Sequence, residues 1–147
     1  MNVVAQDRHI RLRAICVFRR GDSILVSFAV DPRNGGRYAR TIGGAVEFGE
    51  HSEDALRREI REELGAEIVN PRLLGVLENV FSIEGTERHE IVFVYDAELA
   101  GPEWNARTEI PVNEAACVTP ATWVPIASLG DDGIPVYPRA LAGLLTQ

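Results

Sequence analysis

The sequence predicts an α/β sandwich built on a mixed β-sheet, and three observations lead there. Residues 53–64 carry the only long run with a clear helical period, and runs of two-residue period lie on both sides of it. A second, shorter helical pattern closes the chain. The strand runs between these two helices follow one another without the helix after each strand that a regular βαβ repeat requires, so parallel and antiparallel neighbours must share the β-layer.

In chain order, residues 10–18 alternate, with Ile10, Leu12, Ala14, Cys16 and Phe18 on one face. Arg19-Arg20-Gly21-Asp22 reads as a turn into residues 23–30, which makes a hairpin. Residues 31–36, DPRNGG, are a loop by composition, and residues 38–42 form a short strand that delivers the chain into Gly43-Gly44. Ser52 suits a helix N-cap, Glu53 and Asp54 suit the first turn, and Gly65 suits a left-handed C-terminal stop. Residues 67–77 and 78–83 give one or two extended runs with Pro71 confined to an edge or an end. After a turn at 84–88 comes a strongly β-prone strand over 89–99. Residues 101–116 are polar, hold Pro102 and Pro111, and are expected as a loop near a cleft. A short strand at 122–124 stops at Pro125, residues 126–129 make a turn of helix, and Pro138 opens a last helix with Leu141, Leu144 and Leu145 on one stripe.

The chemistry is concentrated in residues 44–66, GAVEFGEHSEDALRREIREELGA. At about 100° per residue, Leu56, Ile60 and Leu64 line one side of the helix, while Glu59, Glu62 and Glu63 fall on the adjoining stripe. Like charges one helical turn apart repel. A solvated face with pairs such as Glu53 with Arg57, or Arg58 with Glu62, is the simpler reading, yet it explains neither the glycine turn nor Glu50 at its fixed distance. Clustered carboxylate oxygens suit Mg2+ or Mn2+, which take octahedral oxygen coordination and keep waters and substrate phosphates.

The spacing G-x5-E-x7-R-E-U-x-E-E-x-G, with U a bulky aliphatic, is met by Gly44, Glu50, Arg58, Glu59, Ile60, Glu62, Glu63 and Gly65. At about one in ten per position, the seven positions other than the aliphatic one would coincide roughly once in 10^7 starts. The segment resembles the box of the Nudix hydrolases, which split nucleoside diphosphates linked to another moiety. Ala66 stands where that family usually has a larger aliphatic, which weakens packing only. The resemblance implies the Nudix fold, an α/β/α sandwich, as one domain over residues 1–147, and it extends to RTIGGAVEFGE, HEIVFVYDAEL, TWVPIASL and IPVYP. It also implies a divalent ion held mainly by Glu59 and Glu63, with Glu62 and Glu50 assisting and the carbonyl of Gly43 or Gly44 as a further ligand. By the same resemblance Arg58 holds a glutamate in place. The base for the attacking water stays open between Glu62 and Glu63, with Glu114, Glu109 and Glu90 as candidates from outside the box.

Elsewhere, Arg40 at the mouth of the glycine turn is a candidate phosphate clamp, with Arg33 and Arg37 in the preceding loop as weaker ones. Trp104 in its polar loop is the better candidate for stacking a base, ahead of Tyr38 and Phe28. His89 and Glu90 resemble a recurring pair in the same group of proteins. The net charge is −7, and the box, with seven acids against three arginines, accounts for −4 of it. With no lysine and no basic stripe, the surface argues against a polymeric nucleic acid partner. No apolar run reaches the roughly 18 residues of a membrane span and no signal-peptide core opens the chain, so a cytoplasmic protein is expected, with Cys16 and Cys117 as thiols. The implied activity is metal-dependent hydrolysis of a diphosphate or triphosphate linkage in a nucleoside triphosphate, a diphosphate or a nucleotide sugar. The alternative is a nucleotide-sensing module without turnover. Many relatives are dimers, so the resemblance also admits a homodimer.

Overall fold

The computed structural model describes residues 8–114 and 120–146, and Cys117 lies outside that range. The chain folds as β1 (Ile10–Val17), β2 (Arg19–Arg20), β3 (Ser23–Val30), β4 (Arg37–Arg40), β5 (Ile42–Ala45), α1 (Ser52–Leu64), β6 (Ile68–Ile83), β7 (Thr86–Leu99), α2 (Glu103–Ala106), β8 (Glu109–Ile110), β9 (Ala121–Pro125), β10 (Val136–Tyr137) and α3 (Leu141–Leu145). The β-layer is mixed, as the element order predicts, and it is divided between two sheets. One sheet runs β5-β1-β7-β6, with β1 parallel to β7 and antiparallel to β5. The other runs β10-β4-β3-β9-β8, with β2 also on β3, and β10 parallel to β4.

The division falls inside the strand expected over 38–42. Arg40 pairs with Ser27 of the second sheet, whereas Ile42 pairs with Cys16 of the first, so the chain changes sheets at Thr41. Each sheet lies between two apolar clusters. Ala14 and Cys16 of β1 join Leu56, Ile60 and Leu64 of α1 and Leu25 of β3 on one side. Ile15 and Val17 join Val92, Val94, Ile24, Val26 and α3's Leu141 and Leu145 on the other. Successive residues of a strand point to opposite faces, so α1 and α3 cover the two sides of the β-layer.

Several local expectations are corrected. Ile10 and Leu12 are 55% and 42% exposed, because α1 covers β1 only from Ala14 onward. The N-cap is His51 without a side-chain cap bond, and Ser52 instead exchanges a 2.6 Å hydrogen bond with the Tyr95 hydroxyl across the cluster. By contrast, residues 68–83 meet the expectation as a single long strand with Pro71 at the sheet edge, and its register slips between Val69 and Arg72, where Pro71 withholds an N–H from the ladder, and again between Leu73 and Gly75. The stretch expected as a loop at 101–116 contains α2 and β8 among its described residues. The last helix starts at Leu141, one turn after Pro138.

Candidate active site

β5 and α1 bring the box together at one edge of the first sheet. Gly43 lies so close to β1 that a Cβ there would be 2.1 Å from the Ala14 carbonyl oxygen and 2.6 Å from the Ile15 Cα. Only a residue without a side chain lets β5 pair there. At Gly44 a Cβ would stand 2.4–2.6 Å from the three carboxylate atoms of Glu59, so the missing side chain is the space that this carboxylate occupies.

Arg58 is the hub of the cluster. Its guanidinium donates Nε to Glu50 Oε2 and Nη2 to Glu50 Oε1, both at 2.8 Å, and Nη1 to Glu59 Oε1 at 3.0 Å. It also reaches the Ala45 carbonyl at 3.0 Å and Glu62 at 3.4 Å. The bidentate Arg58 pair, with help from the backbone of Glu47, holds the Glu50 carboxyl down to about 2. Glu53 and Arg57 also form their i, i+4 pair, so the ion pairs of the simpler reading exist beside the cluster.

Glu63 is different in kind. It is 7% exposed, on the border between the apolar stripe of α1 and the acidic one. Burial, a hydrogen bond with the Glu59 carboxyl and the nearby charges of Glu59 and Glu114 push its carboxyl up to about 9, against the opposing pull of Arg40. The Glu63 carboxyl therefore favours its protonated form, beside Glu59 in a partly dry site. Residues 111–114 are strapped beside them: the Asn113 N–H donates to the Glu63 carbonyl at 2.8 Å, and its Nδ2 to the Glu62 carbonyl at 3.4 Å. These bonds satisfy carbonyls at the end of the helix and deliver Glu114, which is ion-paired with Arg40.

The donors fit a divalent ion in chemistry, since they are oxygens only, a cation can take the place of the proton that Glu63 holds, and the backbone at Gly44 is open to Glu59. Among the described residues, no three acidic, His or Cys side chains are already gathered around one point. Arg58 draws Glu50, Glu59 and Glu62 onto itself, which accounts for that spread.

A cavity of about 510 Å³ adjoins this cluster through Arg40. None of the box glutamates lines it. Arg40 and Glu90, two of the residues expected to bind substrate, do line it, together with Arg33 and Tyr38. Arg33 is already held by Asp31 through both carboxylate oxygens and by the Tyr137 hydroxyl. Trp104 does not line the cavity: α2 turns it onto the α1-side core, where Arg107 covers its ring at 5.3 Å. Phe28 is buried with Arg37 stacked over it. Glu109 is exposed in β8, apart from both the cavity lining and the glutamate contacts. Arg11, Arg13, Phe81, Arg88 and Tyr137 line the cavity without having been singled out. Two arginines in alternation on β1, where the same face later carries Ile15 and Val17, were the available signal.

A NUDIX domain model matches residues 8–141. Among solved structures, a MutT NUDIX hydrolase from Burkholderia pseudomallei is similar at 26% identity, over 95% of this chain and 98% of that one, with a TM-score of 0.70. A NUDIX hydrolase from Nitrosomonas europaea shares the fold at 21% identity, over 81% of this chain and 74% of that one, with a TM-score of 0.59. An ADP-ribose pyrophosphatase from Streptococcus suis does so at 16% identity, over 92% and 87%, with a TM-score of 0.57.

Proposed function

The chain belongs to the NUDIX domain family and is a Nudix pyrophosphohydrolase, and on that premise we propose that it cuts a phosphoanhydride in a nucleoside diphosphate derivative with Mg2+ or Mn2+ at the α1 carboxylates. The observation that carries this reading is the placement of the Glu59 carboxylate in the space that Gly44 leaves open, with the buried Glu63 carboxyl beside it, a set of oxygens that a divalent ion would hold together. Bound there, the ion would neutralise charge on the phosphates and acidify a water.

Glu59, Glu63 and the Gly44 backbone would hold the ion, with Glu50 assisting. Arg58 fixes Glu50 and Glu59 in their rotamers, a role no lysine could fill, because it needs the planar fork. Glu62, with its side chain 57% exposed and only loosely tied to Arg58, accepts the proton of the attacking water at its carboxylate. The water oxygen bonds to phosphorus as the bridging P–O bond breaks, and the leaving phosphate carries away the electron pair. Arg40 stands between the carboxylates and the cavity, where it orients a phosphate oxygen, and the cavity, with Glu90 in its lining, takes the remainder of the substrate. Positioning and electrostatics supply the rate, with no covalent intermediate. The substrate is a small nucleotide, and a cytoplasmic site of action goes with this reading.

The test is phosphate release, with and without added pyrophosphatase, from nucleoside triphosphates, diphosphates, nucleotide sugars and dinucleotides in Mg2+ or EDTA. Turnover of one class that EDTA abolishes is expected, and the products show which phosphorus is attacked. Turnover that persists in EDTA would remove the metal from the reading.

A further inference from the structure

Beyond Arg40, the cavity runs over the α3-side face of the first sheet, and positive charge lies along it. Arg13 and Arg11, two residues apart on β1, share that face. Arg11 stands level with Glu90 of β7, and Arg88, two residues earlier on β7, continues the same face opposite Phe81 of β6. Arg13 pairs with Ala45 beside the glycine turn, level with Val92 on β7. From that level to Arg88 is four residue steps, about 13 Å at roughly 3.3 Å per residue.

Further along the same strands, these alternate positions are Ile15, Val17, Val92 and Val94, all in the core. Arginines therefore take over an apolar face where the cavity opens. Glu90 offsets Arg13 only loosely, at 3.9 Å. Arg11 and Arg88 have no side-chain ion pair or hydrogen bond among the described residues. Across from them, Tyr38, Tyr137 and Phe81 form an aromatic wall, with Tyr38 and Tyr137 edge to face at 4.8 Å. A flat ring against that wall and a dianion on two planar guanidinium forks would satisfy both surfaces at once.

We propose that this arm of the cavity binds a phosphate monoester on the nucleoside, remote from the anhydride that is cut. The substrate is then a nucleoside 5′-diphosphate derivative carrying a second phosphate on its ribose. This rests on the pyrophosphohydrolase reading above, and it gives Arg11 and Arg88 the role of specificity-determining residues.

Titration calorimetry in Mg2+ with AMP, adenosine 2′,5′-bisphosphate and adenosine 3′,5′-bisphosphate tests it, because none of the three contains an anhydride and binding is read without turnover. One bisphosphate should bind about tenfold or more tighter than AMP, and Arg11→Ala and Arg88→Ala should each bring it toward the affinity of AMP. Equal affinities for all three, binding of none, or a preference unchanged in both variants would overturn the proposal. Phosphate release from the anhydride panel is scored separately. Turnover without the bisphosphate preference removes this inference alone, and the preference without any turnover removes the hydrolytic reading alone.

Discussion

Glu63 and Glu50 sit on one helix-and-loop unit and respond to pH in opposite senses. Without a cation, folding raises the Glu63 carboxyl from its ordinary 4.5 to about 9, so between those values the folded chain keeps a proton that the unfolded chain has released. Its contribution to stability is therefore present below pH 4.5 and is lost as pH rises toward about 9. In denaturant melts of the metal-free protein, Glu63→Gln should flatten that decline, and an unchanged profile would move the raised group elsewhere. Folding lowers Glu50 to about 2, so its contribution is present above pH 4.5 and is lost as pH falls toward about 2. Arg58→Ala removes the fork that causes this. Acid unfolding of the variant should begin at higher pH, and its Mg2+ affinity should fall by about 10–100-fold, measured by calorimetry.

At the scale of the element, α1 does two things with adjoining stripes. Leu56 and Ile60 anchor it to the first sheet, and Gly65, left-handed at φ 72°, ends it with an N–H to the Arg61 carbonyl. The other stripe holds its carboxylates against β5. Because Gly44 meets only the far end of the Glu59 side chain, which can swing aside if it gives up Arg58, whereas Gly43 meets the backbone of β1, the two glycines should fail differently. Gly44→Ala should keep the fold, with a loss of about 1 kcal/mol or less, and lose activity by tenfold or more as Glu59 is displaced. Gly43→Ala should lower stability by several-fold more, because β5 must leave β1. Melting and phosphate-release measurements on both variants check this, and equal melting temperatures would contradict the close packing at Gly43. Ile60→Ala, at a fully buried site, should cost about 2–5 kcal/mol in denaturant melts.

For the whole molecule, the consequence of a cation-dependent cluster is linkage between metal and folding. Mg2+ at about 100 times its dissociation constant should stabilise the protein by about 2.7 kcal/mol, a rise in Tm of about 5–10 °C that EDTA reverses and Glu63→Gln abolishes. An identical Tm with and without the ion would contradict the assignment of Glu63 as a ligand. Among the described residues no helix is long and apolar enough to cross a membrane. What the sequence by itself determined was what contacts a turn or a strand step apart set: the helix over 53–64, one residue short of the observed start, its apolar and acidic stripes, the glycine turn before it and the order of strands around it. These are local because helix period, capping and turn chemistry act over a few residues. Only the tertiary structure decided that the β-layer divides at Thr41, that Glu63 is the buried member of the carboxylate set, and that Glu114 reaches it from a loop strapped to the end of the helix. The same holds for the cavity, whose arginines and aromatic residues come from β1, the loop between β3 and β4, β4, β6, β7 and β10. Burial and the meeting of distant side chains depend on which strands lie side by side, and pairing across 40 or more residues leaves no periodic mark in the sequence.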